Sequence, residues 1–168
     1  MADIKDPENT LLIETTKGPV VIEMRPDLAP NHVAHIKKLA REGLYDGVVF
    51  HRVIDGFMAQ TGDVKHGNAS KGETSRAGMG GSDYANLKQE FSTEPHTRGV
   101  VSMARAQDPN SANSQFFFVF DDARFLDRQY TVWGKVIEGM DNVDKIKRGE
   151  PVRDPDKMVS VKVAADVK

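Results

Sequence analysis

FHRVIDGFMAQTGD (Phe50–Asp63) is the stretch that decides the fold. It begins with apolar, aromatic and β-branched residues, which are typical of a buried strand. The Asp55-Gly56 pair in its middle is typical of a tight turn, so the stretch predicts a β-hairpin. Two polar side chains interrupt it, with Arg52 in the first strand and Gln60 in the second. An arginine in so apolar a hairpin needs either a structural ion-pair partner or a functional site.

The length of the hairpin loop determines whether Arg52 and Gln60 can meet. A two-residue loop at 55–56 would pair Arg52 with Ala59 and put Gln60 on the opposite face. A three-residue loop at 55–57 would pair Arg52 directly with Gln60. We favour the second register, because Gln60 could then accept a hydrogen bond from the guanidinium and hold it in place. A carboxamide does this without neutralising the positive charge, as a carboxylate would.

The remaining segments predict a small barrel. A helix is expected to start at Pro30 and stop at Gly43, and a shorter helix carries Met140, Val143 and Ile146 on one face. Alternating apolar residues between turn signals predict strands at 10–16, 20–24, 99–104, 115–120, 131–137 and 158–164. The helices are too few for parallel crossovers throughout. We therefore predict a mainly β fold, a closed eight-stranded antiparallel β-barrel capped by two α-helices.

Composition excludes several classes of function. The chain has 168 residues, and we predict a single domain over 1–168. Its 23 basic and 25 acidic residues give a formal net charge of -2, so we expect no nucleic-acid partner and no membrane partner. The sequence has no cysteine, which excludes disulfides, thiolate catalysis and cysteine-ligated zinc. Neither a signal peptide nor a membrane-spanning stretch is recognisable, so we expect a cytoplasmic protein. We also expect it to be a monomer.

Two later stretches carry side chains suited to a peptide-binding cleft. In SMARAQDPNSANSQFFFVF (102–120), small residues flank Arg105 and leave room for an extended peptide, and two further residues share one strand face. ARFLDRQYTVWGKV (123–136) adds aromatic and apolar side chains. If these segments converge on the hairpin, they line a shallow apolar cleft with a polar rim. The residues concerned are Ala104, Ala106, Gln115, Phe117, Phe125, Leu126 and Tyr130.

These segments resemble, in order, the signature segments of the cyclophilins, which are peptidyl-prolyl cis–trans isomerases. The matching segments are FHRVIDGFMAQTGD, GVVSMARA, NSQFFFVF, FLD and VWGKV, and the likeness runs from about residue 11 to residue 163. The resemblance implies an eight-stranded barrel and isomerisation of X-Pro bonds in proline-containing peptides and unfolded proteins, without a cofactor. It implies a catalytic role for Arg52. It puts Phe57, Met58, Phe117 and Leu126 around the proline ring, and Gln60, Ala104, Arg105, Ala106 and Gln115 along the bound peptide.

Three positions depart from the best-known eukaryotic pattern of this family. Phe125 stands in place of a tryptophan, Tyr130 in place of a histidine and Arg105 in place of an asparagine. The first two changes resemble bacterial members, and we expect all three residues to contact substrate. Because phenylalanine lacks the indole N–H, which belongs to the family's contact with cyclosporin, we expect cyclosporin to bind only weakly.

Some residues invite other interpretations. His51 has the opposite strand parity to Arg52, so we expect it to face away from the cleft in a structural role. His32 and His35 lie one helical turn apart, but no third ligand accompanies them, so we predict a solvated helix face and no metal site. The loop at 62–88 is rich in glycine and polar residues, which indicates a functional or mobile segment. Trp133 is expected to be structural.

Two functions from different classes remain open. One is an isomerase that acts on unfolded chains or exposed proline loops. The other is a peptide-binding module of the same fold, which would bind X-Pro peptides and leave their exchange rate unchanged. The presence of Arg52 favours the enzyme, since a pure binder has no need of a cation directed at the amide.

Overall fold

The computed structural model describes residues 5–72 and 74–167. This part of the chain is mainly β, with nine strands in one antiparallel sheet and two α-helices. The strands are β1 (Thr10–Thr15), β2 (Gly18–Met24), β3 (Val48–Val49), β4 (Arg52–Ile54), β5 (Met58–Thr61), β6 (Val100–Met103), β7 (Phe116–Val119), β8 (Val132–Glu138) and β9 (Lys157–Val163). The α-helices are α1 (Pro30–Arg41) and α2 (Met140–Val143), and short 3-10 helices span Pro7–Asn9, Ala69–Lys71, Arg124–Leu126 and Ala164–Asp166.

The sheet curls but does not close. Its strand order is β3-β9-β1-β2-β8-β6-β7-β5-β4, and no hydrogen-bonded ladder joins β3 to β4 within the described residues. These strands are separated by only Phe50 and His51, so they follow one another in line and cannot pair side by side. The main chain between them bonds elsewhere, since Phe50 N donates to Asp156 O at 2.8 Å and His51 O accepts from Val152 N at 3.1 Å. The prediction of a closed, eight-stranded barrel is wrong in these two details.

The predicted strands agree with the observed ones to within two residues at each end. What the sequence pattern did not reveal is β3, a two-residue strand that pairs with β9. The three-residue hairpin loop is confirmed, because Arg52 pairs with Gln60 and Ile54 with Met58. Gly56 in this loop has φ +73°, a backbone conformation that glycine adopts without strain.

Helix α1 packs its apolar stripe against the sheet. Proline occupies its first turn, where no backbone N–H is needed, and Gly43 with φ +73° lies just past its end. The buried stripe consists of Val33, Ile36, Leu39 and Ala40. Helix α2 is shorter than expected, yet Val143 and Ile146 are buried and Met140 packs on the core.

His32 and His35 do not form a solvated face. His32 is fully buried and His35 is half-buried. Glu90 covers this end of the helix: its carboxylate accepts from His32 N at 2.8 Å and lies 2.6 Å from His32 Nδ1. The residue preceding the helix is Ala29, which has no side-chain acceptor, so Glu90 supplies the N-terminal cap from a distant loop.

The core divides into two apolar clusters on the two faces of β7. Phe116 and Phe118 point into the main core with Phe50 and Trp133, all fully buried, which confirms that these aromatic residues are structural. Phe117 has the opposite parity and belongs to a second cluster with Met58, Val119 and Leu126. Among the described residues, no helix has the length and apolar character needed to span a bilayer.

Candidate active site

The hairpin positions Arg52 and Gln60 at the edge of the second apolar cluster. Their backbone pairing puts both side chains on one face, and Arg52 Nη1 donates to Gln60 Oε1 at 3.3 Å. Strand β5 also pairs with β7, so that Gln60 is opposite Phe117. The local sequence therefore aligns a cation, its amide partner and an aromatic ring across three neighbouring strands.

A cavity of about 410 Å³ opens beside this group. Its floor is the second apolar cluster, in which Met58 and Phe117 are almost completely buried. Tyr130 closes one side, with its ring edge-on to Phe117 at 5.9 Å between centroids. The predicted site residues that line this cavity are Arg52, Phe57, Met58, Gln60, Ala104, Arg105, Phe117, Leu126 and Tyr130.

An adjoining cavity of about 490 Å³ is lined by the remaining peptide-contacting candidates, Ala106 and Gln115. The two cavities share Gln60 and Arg105. Met79, which no sequence pattern singled out, also borders both and is 76% exposed. No sequence pattern predicts this position for Met79, because an isolated methionine in the polar loop 62–88 has no periodicity.

Two polar side chains, those of Gln60 and Gln115, link Arg52 to this loop. Gln60 Nε2 donates to Gln115 Oε1 at 2.9 Å. Gln115 Nε2 in turn donates to the carbonyl oxygens of Gly78 at 3.0 Å and Gly80 at 2.9 Å. Each amide thus both accepts and donates, which fixes its orientation. The loop that borders the cleft is therefore hydrogen-bonded to the side chain that orients the guanidinium.

Asp63 holds the same loop from beneath and was missed as a site-forming residue. Its carboxylate is fully buried and accepts four backbone N–H bonds. Oδ1 accepts from Lys65 and His66, and Oδ2 accepts from Gly78 and Gly80, all at 2.8–3.0 Å. Asp63, the last residue of the opening stretch Phe50–Asp63, therefore joins residues 65–66 to residues 78–80 through one side chain.

A carboxylate also contacts Arg52, contrary to the expectation of an amide partner alone. Glu150 Oε2 accepts from Arg52 Nε at 2.5 Å. Glu150 and its neighbour Pro151 line the first cavity, although neither was a candidate. They come from a segment 98 residues further along the chain, so no local pattern could have paired them with Arg52.

The Arg105 side chain folds back on its own chain. Nε and Nη2 donate to the carbonyl of Gln129 at 3.0 and 2.7 Å, and Nη1 donates to those of Ala106 and Gln107. The guanidinium also lies over Tyr130, 4.7 Å from the ring centroid. The side chain therefore ties two loops of the cleft together, which leaves the backbone of this segment facing the cavity.

Phe125 is the one predicted site residue that lines neither of the two cavities. It is 67% exposed and packs against Phe57, with ring centroids 5.5 Å apart. It lies at the outer rim beside the cleft, where it extends the apolar surface.

His51 does not face away from the cleft as expected. It is buried, and its ring lies beneath Gly78, where a Cβ atom would come within 3.1 Å of Nε2. Burial lowers the pKa of His51, with Asp63 opposing and Arg52 reinforcing the shift. The residue therefore stays neutral near pH 7 and supports the cleft wall.

Comparisons with known proteins agree with this geometry. A family model described as cyclophilin type peptidyl-prolyl cis-trans isomerase matches residues 10–165. A probable peptidyl-prolyl cis-trans isomerase of Brucella suis is 60% identical over 173 residues, covering 99% of this chain and 88% of the relative. A peptidyl-prolyl cis-trans isomerase of Synechococcus elongatus is 36% identical over 155 residues, covering 92% of this chain and 96% of the relative.

Solved structures show the same similarity. Cyclophilin AquaCyp293 from Hirschia baltica superposes with a TM-score of 0.85 at 37% identity, covering 97% of this chain and 76% of that one. A cyclophilin type peptidyl-prolyl cis-trans isomerase of Cryptosporidium parvum was crystallised in the presence of the dipeptide Ala-Pro. It superposes with a TM-score of 0.79 at 25% identity, covering 92% of this chain and 98% of that one. Because the family model spans nearly the whole sheet and the cleft built on it, the chain belongs to the cyclophilin-type peptidyl-prolyl cis–trans isomerases.

Proposed function

We propose that this isomerase rotates X-Pro bonds in unfolded or exposed segments of proteins, with Arg52 as its catalytic group. One observation carries the assignment: the Arg52 guanidinium, bonded to Gln60 at 3.3 Å, lines the same cavity as the apolar floor of Met58 and Phe117. A permanent cation beside a buried apolar floor is the combination that this reaction requires.

The reaction needs neither a nucleophile nor proton transfer. Rotation about an amide is opposed by about 18–20 kcal/mol, because the C–N bond has partial double-bond character. In the twisted state that character is lost, and the prolyl nitrogen regains its lone pair. A donor that bonds to this lone pair favours the twisted amide over both planar forms, which lowers the barrier. The planar guanidinium of Arg52 is always charged and presents several N–H groups in fixed directions.

The apolar floor supplies the second requirement, a grip on one side of the rotating bond. We assign the proline ring to Phe57, Met58, Phe117 and Leu126, because these side chains form the apolar part of the cavity. The peptide on the other side would run along the polar rim. The residues along it are Gln60, Ala104, Arg105, Ala106 and Gln115, with Tyr130 at one side of the first cavity and Phe125 at the outer rim beside Phe57.

Several properties of the protein follow as proposals. Proline-containing peptides and unfolded proteins are its substrates, which the Ala-Pro dipeptide in the similar Cryptosporidium parvum structure supports. We assign its activity to one domain over residues 1–168, working as a cytoplasmic monomer without a cofactor. Cyclosporin would bind weakly, because Phe125 offers no N–H.

The test is an NMR exchange measurement on a short Ala-Pro peptide. Arg52→Ala should lower kcat/KM by roughly 10²–10³-fold, the usual effect of removing one preorganised donor. Arg25→Ala is a matched control, because it removes the same charge from an arginine that pairs with Asp27 and lines neither cavity described above. A folded Arg52→Ala protein with unchanged activity would refute the assignment. A wild-type protein that binds the peptide without accelerating exchange would indicate the binding module instead.

A further inference from the structure

The segment that carries Glu150 runs beside β4, at the outer edge of the sheet. Val53 and Gly149 exchange both backbone hydrogen bonds, each at 2.8 Å. Three residues after Gly149, Val152 N donates to His51 O at 3.1 Å. The segment from 149 to 152 is therefore fixed to the edge strand on both sides of Glu150, by backbone bonds that do not depend on its side chain.

This pairing puts Glu150 across from Arg52. In an antiparallel pair, the position next to a doubly hydrogen-bonded pair is a non-hydrogen-bonded one, at which side chains lie closest. Gly149 pairs with Val53 in this way, so the neighbouring positions, Glu150 and Arg52, project to the same face. The 2.5 Å bond between Glu150 Oε2 and Arg52 Nε is the result.

The bond to Glu150 involves a different nitrogen of the guanidinium from the bond to Gln60. Arg52 Nε donates to Glu150 and Nη1 donates to Gln60, while Nη2 has no partner among the described residues. Bonds at two of its three nitrogens restrict the rotation of the guanidinium about its last torsion. The third nitrogen is thereby left for a substrate in the cavity, which both Arg52 and Glu150 line.

From this geometry, and resting on the proposed function of Arg52, we propose that Glu150 is a positioning residue for isomerisation. It fixes Arg52 through Nε, so that the Nη groups meet the amide as it twists. Glu150 does not contact the rotating bond itself, so its effect passes entirely through Arg52. Since both side chains are about half exposed, at 41% and 57%, the contribution is moderate.

The primary experiment measures Ala-Pro exchange at several peptide concentrations. Glu150→Ala should lower kcat by about two- to fivefold, the range for an exposed cross-strand ion pair, and leave KM unchanged. Glu150→Gln keeps an acceptor oxygen and should lose less. Asp55→Ala is the matched control, because Asp55 is an exposed acid on the same hairpin that pairs with Arg148. It should retain wild-type kcat.

A double-mutant cycle distinguishes positioning from a structural effect. In an Arg52→Ala background, Glu150→Ala should change kcat/KM by less than the single variant does, because its target has been removed. The Arg52 Nε–H resonance gives a readout independent of turnover. It should exchange slowly with solvent in the wild type and in Asp55→Ala, and rapidly in Glu150→Ala.

Four results would overturn the inference: an unchanged or raised kcat in Glu150→Ala, an equal loss in Asp55→Ala, an equal loss in the Arg52→Ala background, or a loss confined to KM. If Glu150→Ala unfolds, Glu150→Gln is judged by the same criteria. An inactive wild type would refute the proposed function as a whole. An active wild type with an impaired Arg52→Ala variant and an unaffected Glu150→Ala variant would refute the role of Glu150 alone.

Discussion

Arg52 and Gln60 lie directly opposite each other on β4 and β5, joined by a 3.3 Å hydrogen bond from guanidinium to carboxamide. Gln60 is itself held by Gln115, whose amide bonds to the carbonyls of Gly78 and Gly80. The direction of the guanidinium therefore depends on contacts that extend from the hairpin to the loop bordering the cleft.

Replacing Gln60 tests the importance of this orientation. Gln60→Ala removes one oriented acceptor from Arg52 and one donor from Gln115, so we expect kcat/KM to fall by about fivefold to tenfold, corresponding to roughly 1–1.5 kcal/mol for one hydrogen bond. Exchange NMR on an Ala-Pro peptide measures the loss, with Gln129→Ala, an exposed glutamine outside both cavities, as the control. Equal activity of the Gln60→Ala and wild-type proteins would show that catalysis by Arg52 does not require its hydrogen bond to Gln60.

Asp63 should be essential for the loop rather than for the chemistry. Asp63→Asn would turn an NH₂ group toward the N–H donors of either Gly78 and Gly80 or Lys65 and His66, leaving two buried donors unsatisfied. Because each such donor costs about 1–3 kcal/mol, we expect a loss of roughly 2–4 kcal/mol in the free energy of unfolding. Urea denaturation measures this change in the free energy of unfolding. A decrease of less than about 0.5 kcal/mol, the size expected for a neutral surface substitution, would contradict this role of Asp63.

Stability should decrease as the pH falls below the ordinary histidine range. Burial lowers the pKa of His32, His51 and His96 from 6.5, with Glu90, Asp63 and Asp127 opposing the shift in each case. The unfolded chain therefore takes up protons near pH 6.5 while the folded protein does not, so stability is complete above this pH and is lost as the pH falls.

Urea denaturation at pH 7.5 and 5.5 checks this sign. Carboxylates contribute only at lower pH, since the pKa of Glu8, held by Arg41 and Lys37, is lowered from 4.5 to about 2. The difference between pH 7.5 and 5.5 should be smaller in His51→Gln than in the wild type, because one buried histidine no longer titrates. A protein that is more stable at pH 5.5 would contradict the prediction.

Phe125 should set the affinity for cyclosporin. We expect weak binding to the wild type, and Phe125→Trp should tighten it by about tenfold, since one added hydrogen bond contributes about 1 kcal/mol and the larger ring adds apolar contact. Titration calorimetry on both proteins measures the change, with Phe125→Leu as a control that adds no donor. Nanomolar binding to the wild type would show that the indole N–H is dispensable.

The sequence predicted the parts of this structure that depend on local signals. The Asp55-Gly56 turn left two registers for the hairpin, and the hydrogen bond that Gln60 could accept from Arg52 favoured the observed one. Strand alternation also placed Phe117 in the cleft, and the structure puts its neighbours Phe116 and Phe118 in the main core.

Contacts between distant segments could not be predicted in this way. Glu150 reaches Arg52 only because residues 149–152 follow the edge of β4. His32 is buried because Glu90, 58 residues away, covers the start of α1. The separation of β3 from β4, which pair with β9 and β5 respectively, likewise depends on partners distant in the chain.

The central claim is that Arg52 stabilises the twisted amide more than it binds the planar peptide. The most direct measurement compares Ala-Pro peptide affinity and exchange rate in the same NMR samples of wild type and Arg52→Ala. We predict that Kd changes by less than about threefold while the catalysed exchange rate falls by roughly 10²–10³-fold. A proportional loss of both, or of neither, would contradict the claim, because Arg52 would then hold the peptide or serve only the fold.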